Sequence, residues 1–398
     1  MAELSKHVEG RSLPLRLPTL TGARFVAAAS VFFFHALWQG FFASQNAAGK
    51  AESVFKQGGW AGVSFFFILS GFVLTWAAHT ADRTAAFYRR RLFKIYPNHL
   101  VTGVVALLLL VLVANQAVKP GTALMNLLLI QAWSPDWMVR NSLNAPAWSL
   151  SCELLFYAAF PLLFALVKRI RPERLWAWAT GVAAVAIIGV PVVATRLPHE
   201  TILPVIGLSE AQFWFVMQFP PVRALEFVLG MLLARIVITG RRLPVGFGGA
   251  VALTVAAYAL APMFPQVFTI TAITLIPLAL VVATGAAADV RNRRSWLSSK
   301  IMVKLGELSF AFYLWHLIVL TYGDLWLGDK AYPTPVAIAV VALLFAISLA
   351  LSYLLFTLVE NPIMRTWSRP HRKHPVLESV PTGPEAGSDG PEETRQAS

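Results

Sequence analysis

The sequence contains few charged residues for its length. Only 13% of its 398 residues are Asp, Glu, Lys or Arg, whereas 57% are hydrophobic. Soluble globular proteins average about 25% charged residues, which help to cover the surface that faces water. The composition therefore excludes a soluble globular protein. We expect the apolar surface of this protein to lie in a lipid bilayer, and we expect no nucleic-acid partner.

Cysteine is almost absent, and the N-terminal residues do not resemble a leader segment. Cys152 is the single cysteine, which excludes an internal disulfide and a multi-cysteine metal site. It falls in an apolar stretch, where a buried and inert thiol is expected, and we expect no bound metal. The first twenty residues contain acidic side chains and no apolar block with a cleavage signal, so no cleaved signal peptide is expected.

Long apolar runs dominate what is present. A helix that crosses the hydrocarbon core needs about 20 largely apolar residues, and the sequence contains ten such stretches: 20–42, 60–78, 98–117, 148–167, 175–195, 212–238, 245–262, 268–288, 305–321 and 336–359. An eleventh stretch, 121–133, is too short and is expected to be re-entrant or interfacial. The predicted fold class is an all-α polytopic membrane protein with about ten transmembrane helices.

Acidic residues are scarce relative to basic ones, and the formal net charge is +13. With a cytoplasmic N-terminus, 26 of the 33 Lys and Arg residues fall in inner segments and six in outer ones. Membrane proteins retain their basic residues in cytoplasmic loops. The distribution predicts a multi-pass protein of the cell (inner or plasma) membrane with both termini cytoplasmic.

The chain divides into two predicted parts. Residues 1–365 form one membrane domain, and residues 366–398 form a cytoplasmic tail. The tail is rich in Pro, Gly, Ser and Glu and has little to bury, so we expect it to be largely disordered. No soluble catalytic domain is indicated, so any chemistry must use residues in the spans or in short loops.

Ionisable residues inside predicted spans are functional candidates, because charge is costly in lipid. Arg24 and His35 lie eleven residues apart on the first span. Eleven helical steps bring them to within about 20° of one face, about 16 Å apart along the axis. His35 could accept a proton from a hydroxyl, and Arg24 could hold a phosphate. Alternatively, Arg24 anchors the span and His35 bonds a neighbouring helix.

A basic loop follows the second span and contains Arg89, Arg90, Arg91 and Lys94. Cytoplasmic loops are commonly basic, which is one interpretation of this cluster. The other is a docking surface for a polyanion, since guanidinium groups pair with phosphates. Coenzyme A has three phosphates and would suit such a surface. No Gly-rich phosphate-binding loop is present, so a nucleoside triphosphate is not indicated.

Four further ionisable residues of the predicted spans are functional candidates. Glu153 could orient His35, bind the hydroxyls of an acceptor, or complete an interhelical ion pair. Arg223 and Glu226 are three residues apart on one predicted helix, a spacing that favours a mutual ion pair. His316 lies near the outer end of the ninth span, where it could line an acceptor site or make a structural hydrogen bond.

Together these segments resemble the acyltransferase 3 family of integral membrane O-acyltransferases, in the order typical of that family. The matching segments are Arg24 with His35, FFILSGF at 66–72, the basic run before IYP at 91–97, WSLSCELLFY at 148–157, RALEFVLG at 223–230, SFAFYLWH at 309–316 and ENP at 360–362. One departure is Lys94, which occupies a position where the family has an arginine. The resemblance covers residues 17–365.

The resemblance implies a membrane enzyme that moves an acyl group, most simply acetyl, from cytosolic acyl-CoA to a hydroxyl of a carbohydrate or cell-surface glycan. It implies that His35 of the first span assists transfer. From the residues themselves we expect His35 to be the general base, with Glu153 as the second catalytic residue, which positions His35 or the acceptor. The residues expected to bind the donor are Arg24, Arg90, Arg91, Lys94 and Ser70. Those expected to bind the acceptor are Trp148, Arg223, Glu226, Tyr313 and His316.

Two alternatives to that function remain at this stage. The acceptor could instead be a hydroxyl of a macrolide or another secondary metabolite, because tailoring members of the family resemble the region RLPTLTGARF. A transporter would also have many spans and buried charges. It is expected to contain internal repeats with paired broken helices, and the sequence shows none.

Overall fold

The computed structural model describes residues 7–8, 11–14, 16–78, 84–200, 202–203 and 206–367. The predicted disordered tail lies outside the described residues, except for its first two positions. Helices make up nearly all of the regular structure. The strands are two short antiparallel pairs, β1 (His7–Val8) with β2 (Arg11–Ser12) and β3 (Ile202–Leu203) with β4 (Leu208–Ser209).

Sixteen α-helices follow one another along the described part of the chain. They are α1 (Pro18–Leu37), α2 (Gln45–Ala77), α3 (Thr84–Leu112), α4 (Pro120–Leu127), α5 (Trp137–Arg140), α6 (Trp148–Val167), α7 (Leu175–Ala184), α8 (Val190–Ala194), α9 (Glu210–Phe213), α10 (Pro220–Ile238), α11 (Phe247–Leu260), α12 (Gln266–Thr269), α13 (Ala272–Val290), α14 (Lys300–Trp326), α15 (Thr334–Leu355) and α16 (Asn361–Trp367). Single π-turns join α7 to α8 and α15 to α16, and another, Trp214–Gln218, precedes α10.

Eight helical segments of the described chain are long and apolar enough to cross a membrane, which confirms the all-α membrane fold. They are Pro18–Leu37, Gln45–Ala77, Thr84–Leu112, Ala145–Val167, Pro172–Ala194, Gln266–Val290, Lys300–Trp326 and Thr334–Trp367. The other two predicted spans correspond to α10, which includes three charged residues, and to the shorter segment Phe247–Met263. The count of ten therefore stays a prediction.

The short eleventh stretch does not form a long helix. Its helical part, α4, has eight residues and is followed by a 3₁₀ turn at Gln131–Trp133. Eight residues of α-helix extend only about 12 Å, well short of the hydrocarbon core. This agrees with the prediction that residues 121–133 do not cross the membrane as one helix.

The helices α2 and α10 pack with their backbones in close contact at two glycines. A Cβ atom added to Gly71 of α2 would overlap the carbonyl oxygen of Phe227, and one added to Gly230 of α10 would overlap that of Ile68. Small residues are common where membrane helices approach closely. The glycines of the FFILSGF and RALEFVLG segments are therefore explained by this one helix contact.

This contact gives a stability prediction. We expect Gly71→Ala to lower the free energy of unfolding by about 1–3 kcal/mol, the usual cost of overpacking. Thermal unfolding of purified protein in detergent measures the effect. Gly121→Ala is the matched control, because a Cβ there would meet nothing within 4 Å. Equal melting temperatures for the two variants would contradict the predicted close contact.

Candidate active site

A basic cavity lies beside the N-terminal half of α1. It has a volume of about 140 Å³ and is enclosed by residues of α1, α2, α3, α6 and α14. Five residues singled out in the sequence line it: Arg24, Ser70, Arg91, Lys94 and Glu153. Helix packing therefore brings the Arg24 end of the first span, the basic segment of α3 and the carboxylate of α6 to one place.

Two carboxylates in and around the basic cavity are already engaged. The Tyr157 hydroxyl donates a hydrogen bond to Glu153 Oε2 at 3.0 Å. Lys94 Nζ forms an ion pair with Glu360, whose other carboxylate oxygen accepts a hydrogen bond from Asn98 at 2.5 Å. In the described part of the chain, no carboxylate pairs with the Arg24 guanidinium. Arg24 is thus available to an external anion, whereas Lys94 is neutralised by Glu360.

Arg90 lies in an adjoining depression of about 520 Å³, which we call the cationic depression. Arg91 lines both the basic cavity and this depression, and Lys168, which directly follows α6, supplies a third positive charge. Sequence analysis did not single out Lys168. It begins the basic run KRIR after the fourth span, but only the packing of α3 beside α6 brings it to Arg90.

A second cavity, of about 260 Å³, contains His35 and is here called the aromatic cavity. Seven aromatic residues contribute to its lining: Phe34, Trp38, Trp60, Trp137, Trp148, Phe213 and Tyr313. Three side-chain amides also line it: Gln39, Asn141 and Gln218. Among the residues that the structure describes at this cavity, none is Asp, Glu, Lys or Arg.

His35 and His316 are in direct contact at this cavity. His35 Nδ1 lies 2.9 Å from the carbonyl oxygen of Val31 and 3.1 Å from His316 Nε2. His316 Nδ1 lies 2.6 Å from the carbonyl oxygen of Tyr313. A carbonyl oxygen only accepts, so we assign the proton of each neutral ring to Nδ1. His35 Nδ1–H then donates to Val31 and His316, which leaves a lone pair on His35 Nε2.

Two aromatic rings lie between the basic and aromatic cavities. Phe66 lines the first, Tyr313 lines the second, and their ring centroids are 6.0 Å apart in an edge-to-face arrangement. The Tyr313 hydroxyl donates to the carbonyl oxygen of Pro146 at 3.2 Å, which holds the ring against the segment before α6. The two cavities therefore share a thin aromatic partition.

The other predicted site residues divide between cavity lining and helix packing. Trp148 lines the aromatic cavity, and its role as an acceptor residue stays a prediction. Glu153 lines the basic cavity, and the side chain in contact with His35 is His316, not Glu153. His316 is fully buried behind His35, which differs from the expected place in an acceptor-site wall.

Arg223 and Glu226 form the ion pair that their spacing predicted, at 2.8 Å. Both are buried, Arg223 donates to Ser64 Oγ at 3.0 Å, and neither lines the basic or the aromatic cavity. The two charges therefore neutralise each other where α10 packs against α2, and neither side chain lies where the predicted substrate contact would require it. Cys152 is buried with a free thiol, as predicted.

Comparison with known proteins agrees with this architecture. A family model described as an acyltransferase domain matches residues 17–357. Acyltransferase MdmB of Streptomyces mycarofaciens is 40% identical over 385 residues, which covers 94% of this chain and 97% of that protein. Exopolysaccharide production protein ExoZ of Rhizobium meliloti (strain 1021) is 27% identical over 330 residues, covering 80% of this chain and 94% of that protein. No solved structure matches.

The family match covers most of the described membrane helices and both cavities. The relative with 40% identity is itself named an acyltransferase and aligns along nearly its whole length. The chain therefore belongs to the acyltransferase 3 family and is a membrane acyltransferase.

Proposed function

We propose that this enzyme transfers an acyl group from acyl-CoA, which enters at the basic cavity, to an acceptor hydroxyl in the aromatic cavity. The observation that carries the proposal is the His35–His316 contact at the aromatic cavity, which leaves His35 Nε2 unprotonated. A neutral imidazole with its other nitrogen held is suited to general-base catalysis.

In the proposed reaction, His35 Nε2 takes the proton of the acceptor hydroxyl. The hydroxyl oxygen attacks the thioester carbonyl, the new C–O bond forms, and the C–S bond breaks. The leaving thiolate takes up the proton and departs as CoA thiol. His316 accepts from His35 Nδ1–H, so it holds the reactive tautomer, and Val31 supports the same orientation.

The donor side is supported by charge and by geometry. The cations of the cationic depression would contact the phosphates of CoA, while Arg24 in the basic cavity has no carboxylate partner among the described residues. His35 lies about 16 Å further along α1 than Arg24. The pantetheine arm would span this distance and pass the partition made by Phe66 and Tyr313. Under the predicted topology, the donor enters from the cytoplasm.

Lys168 provides a test of the donor side. We expect Lys168→Ala to raise KM for acetyl-CoA by about twofold to fivefold, because an exposed ion pair contributes little. KM for acetyl-pantetheine, which lacks the nucleotide phosphates, should not change. Lys119→Ala is the control, since this exposed lysine lies in the predicted outer segment. A similar rise with both donors would contradict a phosphate contact at Lys168.

We propose a carbohydrate or cell-surface glycan hydroxyl as the acceptor, with a macrolide or other secondary-metabolite hydroxyl as the alternative. The relative ExoZ is named for exopolysaccharide production, which supports the first. The 40% identity to Acyltransferase MdmB from a Streptomyces supports the second. Tryptophan faces suit either one, because both sugars and macrolactones present flat apolar faces.

The proposed function is tested with purified protein in lipid nanodiscs. Acetyl-CoA is added with a panel of polysaccharide fragments, alkyl glycosides and glycosylated macrolactones, and released CoA thiol is measured. We expect thiol release that depends on one acceptor class, with the acetyl ester found on that acceptor. Absence of acceptor-dependent release across the whole panel, in protein that binds CoA, would overturn the proposal.

A further inference from the structure

A fully buried arginine lies behind the aromatic cavity, in the short helix α5. Arg140 has 0% exposure, and its Nε donates to Gln218 Oε1 at 2.5 Å. Its Nη1 donates to the carbonyl oxygen of Pro135 and to Glu210 Oε1, the latter at 3.2 Å, and its guanidinium lies over the Trp137 ring. Burial lowers the pKa of Arg140 to about 10 against the opposing effect of Glu210, so the guanidinium stays protonated at neutral pH.

Arg140 fixes the direction of two amides. A guanidinium only donates, so Gln218 must turn its oxygen to Arg140. Gln218 Nε2 then faces Asn141 Oδ1 at 3.2 Å. Asn141 Nδ2 in turn donates to the carbonyl oxygen of Trp137 at 3.1 Å. A 180° rotation of either amide would exchange its oxygen and its NH₂ group, which would place two donors or two acceptors opposite each other. Each amide also has a second N–H that these hydrogen bonds do not use.

Those amides belong to the cavity that contains His35, where a third donor is also present. Gln218, Asn141 and Trp60 all line the aromatic cavity. The Trp60 side chain is only 6% exposed, and its indole N–H has no hydrogen-bond partner among the described residues. An indole nitrogen only donates. The cavity lining thus combines the proposed base with two amides of fixed direction, and among the described residues it includes no Asp, Glu, Lys or Arg.

We propose that Gln218 and Asn141, held in direction by Arg140, determine acceptor specificity. The matching acceptor is a neutral, polyoxygenated molecule whose oxygen atoms next to the reacting hydroxyl accept these N–H bonds. This inference rests on the proposed function, with His35 as the base. An acceptor whose reacting end holds a phosphate or carboxylate would find no opposite charge in the lining, so it is disfavoured.

The first test compares acceptor kinetics in four variants. Gln218→Leu and Asn141→Leu should each raise KM for a neutral glycoside acceptor by roughly tenfold, the effect of losing one hydrogen bond. KM for acetyl-CoA should not change. Gln218→Glu and Asn141→Asp maintain side-chain size while replacing the donor N–H, and they should show the same acceptor defect. Gln116→Leu, at an exposed amide, is the control.

The second test separates positioning from mere packing. If Arg140 acts through Gln218, then Arg140→Leu should raise acceptor KM, and adding Gln218→Leu to it should cause little further change. If the two substitutions were independent packing defects, their separate effects on acceptor KM would multiply in the double variant. The same assays compare the glycoside with a deoxy analogue that lacks the hydroxyl next to the reacting one. The rise in KM from the glycoside to the analogue should be smaller for Gln218→Leu than for the wild type.

The outcomes distinguish this inference from the proposed function. Acceptor-dependent thiol release by the wild type, with acceptor KM unchanged in all four amide variants, would overturn the inference and leave the proposed function intact. Preferred use of anionic acceptors would overturn it as well. Absence of acceptor-dependent release by the wild type would overturn both. Retained CoA binding shows which variants are folded.

Discussion

Replacing His35 with Ala is expected to abolish acyl transfer while the protein stays folded and inserted in the membrane. A positioned general base contributes about 10²- to 10⁴-fold to rate, so kcat should fall by at least about a hundredfold. His35 is only partly buried and lines a cavity, so its removal leaves little packing defect. Release of CoA thiol with the reactive acceptor measures the loss.

The control for this variant uses a residue of the same helix. Ser30 lies on α1 and donates only to the carbonyl oxygen of Val26, at the exposed surface. Ser30→Ala should retain full activity. Equilibrium binding of CoA should be the same for wild type, His35→Ala and Ser30→Ala, because the proposed contacts of the donor phosphates are with other residues. Near-normal turnover by His35→Ala would exclude His35 as the base.

His316 is expected to affect kcat with little effect on KM. His316→Leu removes the acceptor for His35 Nδ1–H and leaves that N–H with Val31 alone. Loss of one buried hydrogen bond costs about 1–3 kcal/mol, so we expect kcat to fall by about tenfold to a hundredfold. KM for both substrates should change little, since His316 is fully buried and lines neither cavity.

A conservative variant distinguishes positioning from packing at this site. His316→Gln retains an acceptor oxygen that can meet His35 Nδ1–H, so it should recover part of the activity lost in His316→Leu. Both variants replace a buried ring, and a purely structural role would lower their stabilities and activities together. Equal activity of the two variants, at equal folded fractions, would exclude the proposed role of His316.

Much of the fold follows from local sequence. Eight of the predicted spans coincide with long apolar helices because a run of about 20 apolar residues has few alternatives in lipid. The pairing of Arg223 with Glu226 likewise follows from helical spacing. The two remaining predicted spans differ from these eight, since α10 contains three charged residues and the segment Phe247–Met263 is short.

The candidate site was only partly predictable. The grouping of Arg24, Arg91 and Lys94 followed from a shared membrane face and from the family resemblance. The side chains that pair with these residues could not be predicted in the same way. Lys94 pairs with Glu360, and Glu153 lies with the cations of the basic cavity and not with His35. These contacts join residues far apart along the chain, and hydropathy says nothing about which helices are neighbours.

The sequence alone determined that this protein is an all-helical membrane enzyme of the acyltransferase 3 family, because apolar run length and motif order are local properties. Only the tertiary structure decided what His35 contacts. His316 is 281 residues away in the chain, and it reaches His35 because α14 packs against α1. Gln218 likewise reaches Arg140 and Asn141 from a distant segment. Hydrogen-bond direction is set by such packing, and the assignment of the His35 proton to Nδ1 follows from that direction.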